Sequence, residues 1–341
     1  MKYPMVTREI YKLLYYGSFK VLGVYKYSRF RNGDIPIILT YHGVLPKIPT
    51  NQSDYEYRNF VTVKQFEDQI RFLLRRYRPL RVSDFYESGS SNLSHGFLIT
   101  FDDGFRNNYS YALPVLQKYG LEAVFFITTS FIGSREFLWT EQVTRLIQKT
   151  RKKVLDVEIG ENRSFRLDSV LNKEWASHSI RDNLKRQPPA NRNKIIEQMR
   201  TQLDDVELTI DTKNEERYLF MNWEEVREMA EAGQVIGSHT HTHPILSTLD
   251  EEESFQELKQ SKEAIESHIN KPCRTMSYPN GEKCDYSPLQ KEQLKALSYE
   301  CAFTQVSPFA GYQTDRYELN RCNISLKMNR YVFEAKISGH K

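Results

Sequence analysis

Residues 96–104 read Gly-Phe-Leu-Ile-Thr-Phe-Asp-Asp-Gly, an apolar run that ends in two adjacent carboxylates and a glycine. A short apolar run of this kind is typical of a strand that is buried on both faces of a parallel sheet. The side chains of adjacent residues at a strand end point in different directions. Asp102 and Asp103 can therefore serve different partners, one binding a cation while the other faces a substrate.

Comparable apolar runs recur along the chain and alternate with helical patterns. The predicted strands are 35–40, 96–101, 123–128, 234–237, 274–278, 301–305 and 323–326. The predicted helices are 64–77, 109–119, 223–232, 250–270, 289–297 and 331–337. Repeated strand–helix units indicate a largely parallel α/β sheet, either wound open or closed as a barrel.

Two regions depart from this alternation. Residues 1–33 form a predicted basic, aromatic helical segment, which precedes a main domain over 34–341. Within that domain, residues from about 135 to 218 are interpreted as an insertion that forms a lid or one wall of a groove. Its predicted elements are a hairpin over 154–159 and 164–167 and polar helices near 172–185 and 190–203.

The composition excludes several classes of protein. Of the 341 residues, 39% are hydrophobic and 27% are charged, which is typical of a soluble globular chain and excludes disorder and collagen-like repeats. The net charge of +4 is too small to indicate a nucleic-acid partner. Four cysteines without a Cys-x-x-Cys pair indicate reduced thiols. The sequence gives no prediction of oligomeric state.

Positive charge is concentrated at the N-terminus, where residues 1–33 hold seven lysines and arginines against Glu9 alone. Aromatic and aliphatic residues are interspersed, so residues 1–31 are predicted either to contact an anionic membrane surface or to dock on the main domain. No run approaches the roughly 18 apolar residues needed to span a bilayer, and no signal peptide is evident. The predicted location is cytoplasmic or inner-membrane-associated, with the periplasm or secretion as the alternative.

A second strand end carries a cluster of histidines. Residues 237–244 read Gly-Ser-His-Thr-His-Thr-His-Pro and hold three of the eight histidines in the chain. Imidazole is the commonest nitrogen ligand for zinc and similar ions. His239 and His243 share a face in helical geometry, whereas His241 shares a face with either of them if the strand continues. A surface cluster is the alternative, and an expression tag is excluded because the cluster is internal.

Together these strand ends predict a mononuclear metal hydrolase. Three protein ligands leave open positions for water at the metal, and a spare aspartate can take the proton of that water. An ester or amide carbonyl suits this chemistry better than a glycosidic bond, whose hydrolysis normally needs two carboxylates and no metal. A third strand end, Ser-Tyr-Pro-Asn-Gly at 277–281, is by itself an ordinary turn.

The pattern resembles the polysaccharide deacetylases of carbohydrate esterase family 4. Their Thr-Phe-Asp-Asp-Gly motif matches residues 100–104, and their His-Ser/Thr-x-x-x-His motif matches 239–243 with one residue fewer between the histidines. The opening Ile-Leu-Thr-Tyr-His-Gly-Val at 38–44 resembles the branch that includes biofilm poly-N-acetylglucosamine deacetylases. The resemblance runs from about residue 35 to the C-terminus, less clearly through the insertion. It implies a distorted (β/α)₇ barrel, zinc or another divalent ion, and hydrolysis of N-acetyl groups on amino sugars.

The resemblance also implies roles for individual residues. Asp102 corresponds to the general base, and a water on the metal to the nucleophile. Asp103, His239 and His243 correspond to the metal ligands, and His241 to a neighbour that does not bind the metal.

The third motif departs further from the family pattern. Tyr278, Pro279 and Asn280 are similar to a variant of the family's Arg-x-Pro-Tyr-Gly loop, which implies that the Asn280 N–H is the oxyanion donor and that Tyr278 and Pro279 contact substrate. The usual arginine position is not filled. Arg321 resembles a late arginine of this branch and is the candidate to orient the base, with a surface arginine as the alternative.

The general acid is less well marked, because no Leu-x-His motif lies near the C-terminus and His340 falls in the chain's tail. His42 follows the first strand and is predicted to be the acid or a substrate contact, with a satisfied core histidine as the alternative. Trp223 is predicted either to line the groove or to pack at the start of its helix.

Three functions follow from this reading. The first is N-deacetylation of a bacterial glycan or of its lipid-linked precursor. The second is deacylation of a small-molecule amide at the same metal site. The third is a catalytically inactive glycan-binding module, which the intact Asp102, Asp103, His239 and His243 disfavour.

Overall fold

The computed structural model describes residues 14–32, 34–48, 57–87, 93–210, 216–310, 315–326 and 328–339. The strands are β1 (Ile37–Tyr41), β2 (Gly43–Leu45), β3 (Phe60–Thr62), β4 (Arg78–Pro79), β5 (Gly96–Phe101), β6 (Ala123–Ile127), β7 (Val154–Glu158), β8 (Asn162–Arg166), β9 (Val235–Ser238), β10 (Thr275–Ser277), β11 (Cys301–Phe303) and β12 (Cys322–Asn323). The α-helices are α1 (Val24–Arg31), α2 (Val63–Leu74), α3 (Leu113–Lys118), α4 (Trp139–Lys149), α5 (Val170–Leu184), α6 (Pro189–Gln202), α7 (Trp223–Glu231), α8 (Glu251–Ile269), α9 (Pro288–Ala296) and α10 (Arg330–Ile337).

The main sheet is parallel and forms a half-barrel with helices around it. Its strands run in the order β11-β10-β9-β6-β5-β1-β12, and the short β4 also pairs with β5. Each of the seven strands in this order corresponds to a predicted strand, and the prediction of a distorted (β/α)₇ barrel is confirmed. Because all these strands are parallel, the loops that leave their carboxyl ends meet at one end of the half-barrel.

The core explains why the strands are continuous apolar runs. Every residue of β5 and β6 is buried, and their Phe101 and Phe125 rings stack with centroids 4.7 Å apart. Burying a phenylalanine side chain stabilises a fold by about 1.5–3 kcal/mol. The helices are fixed by caps: Asn222 accepts from the Glu225 N–H at 2.9 Å, and Glu225 accepts from the Asn222 N–H at 3.0 Å, which is the capping box predicted for α7.

The region of the predicted insertion has a hydrophobic cluster of its own. The hairpin β7–β8 and the helices α5 and α6 form where the sequence predicts them. Helix α4, which precedes them, was not predicted. Leu146, Phe165, Ile180 and Met199 belong to this cluster and are almost completely buried. The domain boundaries themselves remain a prediction.

The described part of the N-terminal segment packs on the C-terminal helix. Lys20 pairs with Glu334 of α10 at 3.0 Å, and the Asn32 side chain donates to the Ser338 carbonyl at 3.3 Å. Val21, nearby, is 88% exposed. No helix among the described residues is long and apolar enough to cross a membrane. Residues 1–13, to which the prediction of membrane contact also refers, lie outside the described residues, as do residue 33 and His340.

Candidate metal and catalytic site

Three buried side chains converge at the carboxyl ends of β5 and β9. One carboxylate oxygen of Asp103 lies 3.6 Å from Nε2 of His239 and 3.5 Å from Nε2 of His243. The ligand atoms of the three residues all lie within 4.8 Å of one another. One carboxylate and two imidazole nitrogens form a ligand set that suits zinc and related divalent ions.

The hydrogen bonds of the two histidines fit a cation at this position. Nδ1 of His239 lies 2.8 Å from the Ser277 carbonyl, which can only accept, so the ring donates through Nδ1 and leaves the Nε2 lone pair facing Asp103. Burial lowers the pKa of His239 to about 4, which keeps the ring neutral. Nδ1 of His243 is buried with no hydrogen-bond partner among the described residues. The donor set therefore fits a divalent metal ion.

The backbone at these loops adopts a conformation that side chains rarely tolerate. Asp103, Thr240, His243 and Asn280 have φ values of 77°, 66°, 63° and 61°. Left-handed φ at a non-glycine residue costs about 1–3 kcal/mol and is concentrated at functional sites. His239 and His243 therefore meet through a strained loop, residues 239–243, which we call the histidine loop. The predictions that a helix or a continued strand brings the histidines together are wrong.

Asp102 is held by a fully buried arginine. Nη1 of Arg321 donates to Oδ1 of Asp102 and Nη2 donates to Oδ2, each at 2.8 Å. Arg321 Nη2 also donates to the Ser277 hydroxyl at 2.6 Å, and Nε donates to the Thr304 carbonyl at 2.8 Å. The alternative of a surface arginine is therefore wrong. Two parallel bonds from a guanidinium fix the plane of the carboxylate as well as its charge.

The charge of Asp102 follows from these contacts. Burial by itself would raise the pKa of the Asp102 carboxyl, but the positive charge and the hydrogen bonds of Arg321 outweigh burial and hold that pKa below its usual range. Asp102 is therefore ionised at neutral pH. An ionised, oriented carboxylate beside a cation site is suited to accept a proton.

The loop formed by residues 278–281, which we call the Pro-Asn-Gly loop, leaves one backbone donor available. The side-chain amide of Asn280 donates to Oδ2 of Asp285 at 2.5 Å, and the Glu282 N–H donates to the same oxygen at 2.7 Å. The Gln305 N–H donates to the Gly281 carbonyl at 2.8 Å. Within the described ranges the Asn280 N–H has no hydrogen-bond acceptor, so it is available to an incoming oxygen.

His42 lies close to both carboxylates. It follows β1, which pairs with β5 so that Tyr41 is opposite Phe101, the residue before Asp102. Burial would raise the pKa of Asp103, but the His243 hydrogen bond and the proximity of His42 outweigh burial and lower it, and His42 also contributes to the lowered pKa of Asp102 after Arg321. Nδ1 of His42 is buried with no hydrogen-bond partner in the described part of the chain. His42 is therefore not a core histidine with its hydrogen bonds satisfied, which was the alternative.

Two residues that were predicted to contact substrate pack against other aromatic rings. Tyr278 is 1% exposed, its hydroxyl donates to the Tyr317 carbonyl at 3.1 Å, and its ring stacks on Tyr286, so the side chain belongs to the core. Trp223 is half-buried and stacks on the His268 ring with centroids 3.9 Å apart, which is the packing role left open by the sequence. An aromatic residue near a strand end or a helix start packs inward as readily as it faces a groove, so the sequence position alone did not indicate this packing.

Pro279 and His241 lie at the site without touching the ligand cluster through hydrogen bonds. Pro279 is buried, and its carbonyl accepts from the Gly281 N–H at 2.7 Å, which closes the turn of the Pro-Asn-Gly loop. Nδ1 of His241 lies 2.9 Å from the Thr129 hydroxyl, and the residue stands outside the group of three ligands.

Sequence analysis missed two residues that contact the site. The Gln305 side-chain amide donates to Oδ2 of Asp102 at 3.1 Å. Gln305 stands at the end of a predicted strand, as the aspartates do, and that position was the signal. Glu257 accepts from the backbone N–H groups of His241 and Thr242. Glu257 lies within a helix rich in charged residues, and nothing in the sequence distinguishes it.

Sequence comparisons agree with this geometry. A family model described as polysaccharide deacetylase matches residues 93–159 and 175–302, more than half of the chain. The poly-beta-1,6-N-acetyl-D-glucosamine N-deacetylase of Staphylococcus epidermidis is 32% identical over 111 residues, which are 30% of this chain and 38% of that protein. The Bacillus subtilis protein YxkH is 47% identical over 51 residues, 15% of this chain and 18% of that protein. The matched stretches thus span less than two-fifths of either curated relative.

Solved structures share the fold over most of the chain. The Streptococcus pyogenes deacetylase PplD, determined in complex with acetate, superposes with a TM-score of 0.55 at 17% identity and covers 89% of this chain and 98% of that one. IcaB from Ammonifex degensii superposes with a TM-score of 0.53 at 17% identity, covering 90% of this chain and 97% of that one. At this identity the likeness establishes the common fold.

Proposed function

Because this chain belongs to the polysaccharide deacetylase family, we propose that it hydrolyses N-acetyl groups on the amino sugars of a bacterial glycan or of its lipid-linked precursor. The observation that carries the proposal is the Asp102–Arg321 pair beside the cluster of Asp103, His239 and His243. A base and a cation site lie side by side, as the metal-assisted hydrolysis of an amide requires.

The residues divide the reaction between them. Asp103, His239 and His243 would hold a divalent ion, which when bound would supply a Lewis acid and lower the pKa of a water. Asp102 accepts a proton from the attacking water, and Arg321 keeps its carboxylate ionised and in plane.

The substrate carbonyl and the leaving amine need further partners. The Asn280 N–H donates to the carbonyl oxygen as negative charge develops on it. His42 gives a proton to the amine nitrogen as the carbon–nitrogen bond breaks, so that acetate and a free amino sugar leave. The buried, unpaired Nδ1 of His42 and its position beside both carboxylates support this assignment.

The glycan and the location rest on separate observations. The name of the Staphylococcus epidermidis relative supports a poly-N-acetylglucosamine as substrate, and the metal is proposed to be zinc. Val21 and Leu22 are 88% and 74% exposed beside a strongly basic N-terminal stretch, which supports contact of residues 1–31 with an anionic membrane surface. We therefore propose that the enzyme acts at the inner membrane face.

The test is release of acetate from defined N-acetylglucosamine oligosaccharides, with and without a chelator. Asp102→Asn is expected to retain metal and to lose about 10²–10⁴-fold in turnover, because the base is gone. His243→Ala is expected to lose both metal and activity. Asp68→Asn and His178→Ala, at exposed positions, are the matched controls. Turnover near the wild-type rate in Asp102→Asn would refute the base assignment, and glycan binding without acetate release would favour a binding module.

A further inference from the structure

The histidine loop needs support from outside itself. Thr240 and His243 both have left-handed φ values, so the loop's own backbone disfavours the shape that turns His243 toward Asp103. Inside the loop, the Thr240 hydroxyl accepts from the His243 N–H at 3.1 Å and donates to the His239 carbonyl at 2.6 Å. These bonds leave the N–H groups of His241 and Thr242 to be satisfied elsewhere.

Glu257 on α8 satisfies both of these donors. Its Oε2 accepts from the N–H groups of His241 and Thr242, each at 2.8 Å. Its Oε1 accepts from the Thr242 hydroxyl at 2.6 Å. Hydrogen bonds to a carboxylate are roughly twice as strong as bonds between neutral groups. Both oxygens of one side chain are thus committed to the loop that carries two of the three ligands.

The carboxylate forms no ion pair in the described structure, although the charge of Arg192 interacts with it electrostatically. No lysine or arginine of the described residues lies within ion-pair distance of Glu257. Other glutamates of the same helix do pair with lysines, as Glu263 does with Lys259 at 3.9 Å. The hydrogen bonds of Glu257 therefore point to the histidine loop alone.

We propose that Glu257 is a positioning residue of the metal site, which holds the histidine loop in the shape that brings His243 to Asp103. The inference rests on the proposed function, because it takes the three side chains to be metal ligands. Glu257 does not touch the metal or the substrate. It acts through the backbone of His241 and Thr242, and its loss is felt first in metal affinity.

The experiment measures metal binding to the whole chain without substrate. Zn²⁺ affinity is determined by titration against a competing chelator, and the visible spectrum of the Co²⁺ protein reports the ligand geometry. Glu257→Ala is expected to bind Zn²⁺ at least about 10-fold more weakly and to alter the Co²⁺ spectrum, because partners of the ligand shell typically contribute 10–100-fold. Glu257→Gln is expected to recover most of the affinity, since its amide oxygen can accept the same N–H groups. Glu263→Ala, an exposed glutamate of the same helix, is expected to match the wild type.

The outcomes separate this proposal from the general one. Wild-type affinity in Glu257→Ala, or an equal loss in Glu263→Ala, would overturn it. If Glu257→Ala does not fold, Thr242→Val removes only the hydroxyl bond and is expected to weaken Zn²⁺ binding about threefold; an unchanged affinity would overturn the proposal. A wild-type chain that binds no metal refutes the metal site itself, whereas a loss confined to Glu257 and Thr242 variants leaves that site in place.

Discussion

The half-barrel and the inserted region each bury an arginine, but the two guanidinium groups differ in how completely they are hydrogen-bonded. Arg321 is 1% exposed, forms two parallel bonds to Asp102 and donates Nε to the Thr304 carbonyl. Arg192 of α6 is 4% exposed, yet its Nε and Nη1 have no partner among the described residues. Its guanidinium lies over the Trp139 ring, 4.9 Å from the centroid, and burial lowers its pKa to about 10.

The buried charge of Arg321 is paired with a carboxylate and fully hydrogen-bonded, whereas the buried charge of Arg192 is only partly hydrogen-bonded. A buried charge is costly unless hydrogen bonds and a counter-charge replace its hydration. Around Arg321 that replacement is complete, and the Asp102 carboxylate beside it is ionised. Around Arg192 the replacement is incomplete. We therefore expect the guanidinium of Arg192 to lower the free energy of unfolding, whereas that of Arg321 raises it.

The largest effect is expected at Arg321. Arg321→Met leaves the Asp102 carboxylate buried without its cation, and we expect acetate release to fall by about 10²–10⁴-fold. Removing one partner of a buried pair also costs about 3–5 kcal/mol, which thermal unfolding of the metal-free protein measures. Arg321→Lys should recover part of the stability but little of the activity, because an ammonium cannot bind both carboxylate oxygens in plane. An active Arg321→Met protein would contradict the contrast drawn here.

A smaller effect separates the two hydrophobic cores. Ile180 of the inserted region and Ile265 of α8 are both completely buried, but they belong to different clusters. Truncation of either to alanine is expected to cost about 2–5 kcal/mol of stability. Only Ile265→Ala should also weaken Zn²⁺ binding, because α8 carries Glu257. Equal weakening by Ile180→Ala would show that the inserted region supports the metal site.

The strand ends explain how much of this site the sequence could predict. Asp102, Asp103 and the histidines follow apolar runs, and parallel strands bring such ends together, so the ligand cluster was predictable from local pattern. The partnership of Asp102 with Arg321 joins positions more than two hundred residues apart and was reachable only through a family resemblance.

Other features had no local signal at all. The left-handed backbone at Thr240 and His243 depends on tertiary contacts, among them those from Thr129, from Ser130 and from Glu257 on a helix whose sequence resembles an ordinary charged surface. The helix α4 was missed because it has no side-chain cap at Leu138 to mark where it begins. Tyr278 was assigned to substrate because the strand end gives a residue's position but not which way its ring turns.

The smallest effect, and the most discriminating, is expected at Arg192. Arg192→Met removes a guanidinium that lacks hydrogen-bond partners in the described structure and keeps an apolar stem over Trp139. We therefore expect the free energy of unfolding, measured by thermal denaturation, to fall by about 1 kcal/mol or less, or to rise. Arg200→Met, an exposed position on the same helix, is the control. The negative charge of Glu257 opposes the lowering of the Arg192 pKa, so the two side chains interact electrostatically although they belong to different regions. A large loss of stability together with weaker Zn²⁺ binding would mean that Arg192 steadies Glu257, and the contrast between the two arginines would become one of degree.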